Sequence, residues 1–393
     1  MSDSRRRPST LEILMFITAL AGMALALVAA VSLGALGLVA AAGGDEMNAL
    51  TGIWTMAASL TVAAALGPPA YWSGRAVFGY PPPPPSRPNA AWLAPILAYP
   101  ACLVLGWFAH SRGAATLILG PLALIGTACL SVVFIGWLVR RLGPAISPLR
   151  SWGHFTVGLT AMPLTAMLIE FMAALPLLLL LGFVLISSPE GLAWATTLDQ
   201  AADPERALEI AADLLKSPLL LVGVYGYVGL AIPVIEEVIK TMAVWPFLRR
   251  GLSAAEAFLG GALGGAGYAL FEALFLTQPG EAWVTTTFAR IGATALHVFT
   301  AALTSYGLVR GVRLRRYGLT VATLLASIAM HALWNLSAVT IGISSLPIET
   351  SPPSAVTGAS GVAGILLIVL AVISALGLVL AWGRLPQTEP DRN

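Results

Sequence analysis

The feature that most narrows what this chain can become is a succession of ten apolar stretches, each near or above the ~20 residues that a helix needs to cross a bilayer core. They fall at about 11–42, 50–73, 91–110, 114–139, 157–188, 218–248, 254–277, 287–309, 319–343 and 362–383 of the 393 residues. Runs this long leave the helix as the candidate form, because in a bilayer every backbone donor must be satisfied within its own segment. Composition agrees, with 58% hydrophobic and 10% charged residues, where an ordinary soluble domain has about 25% charged. The expectation is an all-α, polytopic transmembrane helical bundle of about ten transmembrane helices.

Lys and Arg in short loops stay cytoplasmic. With the N-terminus inside, that side collects sixteen arginines, from Arg5, Arg6 and Arg7 through Arg249, Arg250 and the Arg310 to Arg316 cluster to Arg384 and Arg392. The other side keeps Arg112, Arg206, Lys216 and Arg290, and Lys240 stays within the membrane, which accounts for all 21 basic residues. An N-in, C-in topology follows. The first apolar run is about twice the 7 to 15 residues of a signal peptide, so it reads as a retained helix. Residues 1–78 then form an N-terminal two-helix membrane hairpin, and 79–90, around "GYPPPPPSRPN", a stiff polyproline linker. Residues 91–217 hold helices three to five and an amphipathic outer-surface loop, "LDQAADPERALEIAADLLK". Residues 218–343 form a core with intramembrane polar groups, and 344–393 the last helix and a cytoplasmic tail. Cys102 and Cys129 lack CxxC spacing and read as packed thiols.

Polar residues inside the core carry the functional argument. A charge at mid-bilayer costs on the order of 2.5 to 3.5 kcal/mol, so Glu236, Glu237 and Lys240 of "IPVIEEVIKTMAVW" must face protein. Glu236 lies roughly 18 Å by helical rise from Arg249 and Arg250, beyond snorkelling. Glu236 and Lys240 have the i, i+4 order favoured for a supporting ion pair, and Glu237 points about 100° away. Later helices add Glu272 in "GYALFEALF", His297 in "ATALHVFTAAL", and His331 with Asn335 in "IAMHALWNLS", the last two on one helical face. Both histidines lie roughly 20 Å from their cytoplasmic ends, at the depth of Glu236. Ser253 and Glu256 have the form of a capping box, which puts Glu272 some 27 Å along its helix, deeper than the rest. Three glutamates against one lysine leave about two negative charges beside two imidazoles, a set that a divalent cation balances. Carboxylate and imidazole donors with a position left for water make up a catalytic zinc site, and a second carboxylate nearby can act as general base.

Four motifs in order, Glu-Glu-x-x-Lys at Glu236 to Lys240, Tyr268 four residues before Glu272, Arg290 before His297, and His-x-x-x-Asn at His331 to Asn335, resemble the PrsW family of intramembrane proteases. That family is related to the type II CAAX prenyl proteases and bacteriocin-processing membrane enzymes. The resemblance covers roughly 218–343. It implies a metal-dependent intramembrane endopeptidase, a hydrolase of the cell membrane (bacterial inner membrane) that cleaves a membrane-anchored protein or lipidated peptide, with zinc as the expected metal and no nucleic-acid partner. Residue by residue it implies that Glu236 activates water and Glu237 supports it. Glu272, His297 and His331 with Asn335 would form the metal-binding and transition-state-stabilising set. Ala273 departs from the asparagine usual after the second-motif glutamate. Two rival functions use the same buried groups: a noncatalytic membrane scaffold of the same superfamily, and a proton-coupled transporter, for which no clear inverted repeat is visible. A bis-histidine haem would leave the three glutamates without a use. Glu170 reads as a structural carboxylate, and Gly260, Gly261, Gly264, Gly265 and Gly267 as a close-packing helix face.

Overall fold

Caps, prolines and glycines set the helix ends in the computed structural model, which describes residues 7–81, 84–85, 87–89, 96–110, 116–187, 210, 212, 214–277, 283–346, 354–382 and 384–385. Thirteen α-helices form among them: α1 Thr10–Ala42, α2 Glu46–Ala65, α3 Gly67–Val77, α4 Tyr99–His110, α5 Thr116–Leu142, α6 Pro148–Leu159, α7 Ala161–Ser187, α8 Pro218–Gly226, α9 Ile232–Lys240, α10 Ala254–Phe275, α11 Trp283–Arg313, α12 Tyr317–Ser344 and α13 Ser354–Trp382. Nine helical stretches among the described residues are long and apolar enough to cross a membrane, so the protein is an all-α, multi-pass membrane protein. The third expected span is a shorter apolar helix, α4. Most of the expected amphipathic loop, and residues 82, 83, 86 and 90–95 of the linker region, lie outside the described residues.

Several expected spans are interrupted where the backbone bonding cannot continue. Pro68 and Pro69 open α3 at its first turn, where a missing N–H costs nothing, and Thr160 separates α6 from α7. Ser9 with Glu12 caps α1, and Ser253 with Glu256 caps α10, each by a reciprocal pair of side-chain to backbone bonds. The second of these is the capping box expected from the sequence. Outside the spans, the Asp45 carboxylate accepts the Asn48 backbone N–H at 3.1 Å, and this bond holds its pKa below the usual carboxylate range.

The chain divides into two compact units. One comprises residues 1–163, 240–324 and 374–393, the other 164–239 and 325–373. In the first, α10 is buried along almost its whole length and contributes Phe258, Leu259, Ala262, Leu263, Ala266 and Leu270 to the main core. Its glycines allow this. A Cβ on Gly265 would stand 2.5 Å from the His297 carbonyl oxygen, one on Gly264 2.5 Å from the Ala243 Cβ, and one on Gly260 2.6 Å from the His154 ring. The glycine face is thus a packing surface, and it brings α10 directly against the backbone of His297. Gly265→Val should destabilise the protein by about 1 to 3 kcal/mol, read as a lower unfolding temperature in detergent, because the obstructing atom belongs to backbone. An unchanged unfolding temperature would contradict this packing.

His154 answers a second backbone problem in the same unit. The Ala243 carbonyl has no helical donor, because Pro246 lacks an N–H and the Phe247 N–H bonds to Val244. His154 Nδ1 supplies it at 2.7 Å, with its ring 4.1 Å from that of Phe247. The imidazole is therefore the Nδ1–H tautomer, and it fixes the short 3-10 turn Thr241–Ala243 that follows Lys240.

The second unit is thinner and presents large apolar side chains outward, Leu168, Phe171, Leu179 and Ile186 among them, as lipid-facing helices do. Tyr227 Oη donates to the Glu170 carbonyl at 2.8 Å, and Tyr225 Oη meets Thr340 Oγ1 at 3.0 Å.

Candidate active site

A break in the helix that carries the two adjacent glutamates begins the second unit's polar cluster. Residues Tyr227–Ala231 form a π-helical turn, and the Ile232 N–H that ends it bonds to Tyr227. Pro233 has no N–H. The Val228 carbonyl therefore loses both possible helical donors, and Asn335 Nδ2 donates to it at 3.0 Å. Such π-turns recur at functional sites, and this one sets the register from which α9 presents Glu236 and Glu237. Asn335, expected at the metal, is the residue that seals this turn. Asn335→Leu should cost about 1 kcal/mol, the scale of a side-chain hydrogen bond inside a membrane. Equal chemical stability of variant and wild type would exclude that role.

One turn before Asn335 on α12, His331 receives both glutamates. Its Nδ1 lies 2.9 Å from Glu237 Oε1, a hydrogen bond, and its Nε2 lies 3.9 Å from Glu236 Oε2. The second distance is too long for a hydrogen bond. All three side chains are buried, Glu237 completely. With Nδ1 at Glu237, Nε2 is the ring nitrogen on the side of Glu236. A carboxylate on the far nitrogen is the usual support of a metal-ligating histidine.

A second carboxylate and histidine pair is built within the first unit, between the last turn of α10 and the middle of α11. Glu272, four residues from the end of α10, accepts from Arg290 Nη1 at 3.2 Å and meets His297 Nε2 at 2.8 Å, both through Oε2. Its position far along α10 thereby has a reason: Arg290, near the start of α11, holds the carboxylate there. His297 stands two turns further along α11, with its ring 5.5 Å from that of Tyr268. The Lys240 ammonium lies 5.4 Å from the centroid of the Tyr268 ring, a cation–π arrangement worth more when desolvated. Lys240 and His297 are both buried. Helix α9 keeps Glu236 and Lys240 one turn apart, as their spacing requires.

Three supporting contacts lie outside what the sequence reading assigned. Pro233 had a local signal, a proline three residues before the glutamates. Arg290 was visible in its motif, but its ion pair with Glu272 was not. His154 carried no signal at all, since the carbonyl it serves is 89 residues away.

The structure is that of a multi-pass helical membrane protein with two buried carboxylate and histidine pairs. Residues 209–376 match the family model described as PrsW family intramembrane metalloprotease. The matched stretch, less than half of the chain, contains every candidate residue, so this part of the chain is similar to intramembrane metalloproteases. No curated protein and no solved structure matches the chain.

Proposed function

We propose that this protein is a zinc-dependent intramembrane endopeptidase acting on membrane-anchored proteins or lipidated peptides, with both termini on the cytoplasmic side. Glu236 with His331 in one unit, and Glu272 with His297 in the other, are buried carboxylate and imidazole donors of the type that fits a divalent metal. The observation that carries the reading is the setting of His331, whose Nδ1 is hydrogen-bonded to Glu237 and whose Nε2 lies 3.9 Å from Glu236 Oε2. When bound, the ion supplies Lewis-acid chemistry, polarising a peptide carbonyl and acidifying water.

The resemblance assigns water activation to Glu236 and a ligand role to Glu272, and the hydrogen bonding supports exchanging them. Glu272 Oε2 is committed to Arg290 and His297, which leaves one oxygen, Oε1, for chemistry. Its Oε1 remains to take a proton from water. Glu237 and Glu272 each orient one imidazole, Arg290 holds Glu272, and Lys240 with Tyr268 stacks a cation beside His297.

The purified protein incubated with a solubilised bacterial membrane fraction should generate new peptide N-termini within or beside apolar segments. These should vanish with a zinc chelator and return with added zinc. A membrane fraction left intact under every condition would favour the noncatalytic scaffold. Orientation has its own check, because a cysteine placed within 189–216 should react from outside intact cells with an impermeant thiol reagent. Labelling only after lysis would reverse the topology.

A further inference from the structure

Hydrolysis inside a bilayer needs water, and the first unit contains a small polar chamber beside Arg290. The cavity, of about 10 Å³, is at the lower limit for one water molecule. Its polar lining is Thr127, Ser131, Thr277, Thr287 and Arg290, with Ala273 closing it. Three features mark it as a binding site and not a packing defect. Thr287 is 4% exposed and its Oγ1 has no hydrogen-bond partner among the described residues. Thr127 and Ser131 spend their hydroxyl protons on backbone carbonyls of α5, at 2.9 Å and 2.8 Å, which leaves oxygen lone pairs as acceptors. Arg290, with five N–H donors, makes one side-chain hydrogen bond among the described residues, to Glu272.

A water needs two to four polar partners, and this lining offers acceptors from α5, a hydroxyl from Thr287 and donors from Arg290. We propose that the chamber binds a water molecule and holds it next to the Arg290 and Glu272 pair, as the last station of the hydrolytic water before Glu272. This rests on the hydrolase reading for its purpose but not for its existence. Arg290 is then a positioning residue with two partners, the Glu272 carboxylate and the bound water.

The test uses full-length protein with Cys102 and Cys129 replaced by alanine. Thr287→Cys, and separately Ser131→Cys, are exposed to silver ion, a small aqueous probe that attacks hydrated thiols. Protection from later alkylation is read by mass spectrometry. Both cysteines should react at least about tenfold faster than Leu274→Cys, a site in the apolar core as buried as Thr287, while Ser131 is half-buried, because thiol reactivity follows access to water and ionisation. Equal rates at all three sites would overturn the proposal, and the second chamber position covers a Thr287 variant that fails to fold. A separate arm measures hydrolysis. Thr287→Val keeps shape and metal content and should slow cleavage about tenfold, the scale of one lost hydrogen bond. Fast silver reaction in a protein that cleaves nothing would keep the chamber and reject the protease. Unreactive cysteines in an active protease would do the reverse.

Discussion

Glu272→Gln should abolish most hydrolysis while leaving the bound metal in place. The substitution preserves the side chain's volume and its acceptor oxygen toward Arg290, and removes only the ability to take a proton. General-base catalysis contributes typically 10²- to 10⁴-fold, so a loss of at least ~100-fold is expected, with metal content near wild type. Glu236→Gln should also stop cleavage, but through the metal: an amide is a weak ligand, and the purified variant should carry less than stoichiometric zinc. Elemental analysis of the two variants beside a cleavage assay separates the roles. If Glu236→Gln keeps its metal and Glu272→Gln loses it, the two glutamates hold the opposite assignments, with Glu236 at the water.

His331→Ala should lose the metal altogether. His331 Nε2 is the donor that Glu237 fixes in place through Nδ1, at 2.9 Å, and no other side chain of α12 can replace an imidazole there. A ligand that binds only the folded state stabilises it by RT ln(1 + [L]/Kd). Added zinc should therefore raise the unfolding temperature of the wild type in detergent and leave that of His331→Ala unchanged. Glu237→Gln should fall between them, since loss of a histidine's supporting partner typically weakens metal affinity 10- to 100-fold. A wild-type protein whose stability ignores both chelator and zinc would remove the metal from the mechanism and turn the same buried network into a scaffold element.

The sequence by itself determined the solvent, the secondary structure and the identity of the polar residues. Apolar run length forces helices, because a bilayer offers backbone groups no other partner. The cost of an ion in hydrocarbon makes Glu236, Glu237, Lys240 and Glu272 visible as residues that must meet something. The i, i+4 spacing of His331 and Asn335 was enough to place them on one face of a helix. The capping box at Ser253 and Glu256 could be read directly, since it is a contact between residues three apart.

Partner choice was not legible in the same way, because it depends on which helix ends meet. Glu272 looked too deep until the packing of α11 against α10 put Arg290 against it, 18 residues away. Asn335, expected beside the metal, donates its Nδ2 to the Val228 carbonyl, 107 residues away, which Pro233 and the π-turn leave without a helical donor. His154, 106 residues before Gly260, lies against that glycine only because a Cβ is missing there. Local rules fix which groups must be satisfied. Only the tertiary structure decides by whom, because a buried donor or acceptor takes whatever partner helix packing brings within about 3 Å, and that packing depends on glycines and prolines far away in the chain.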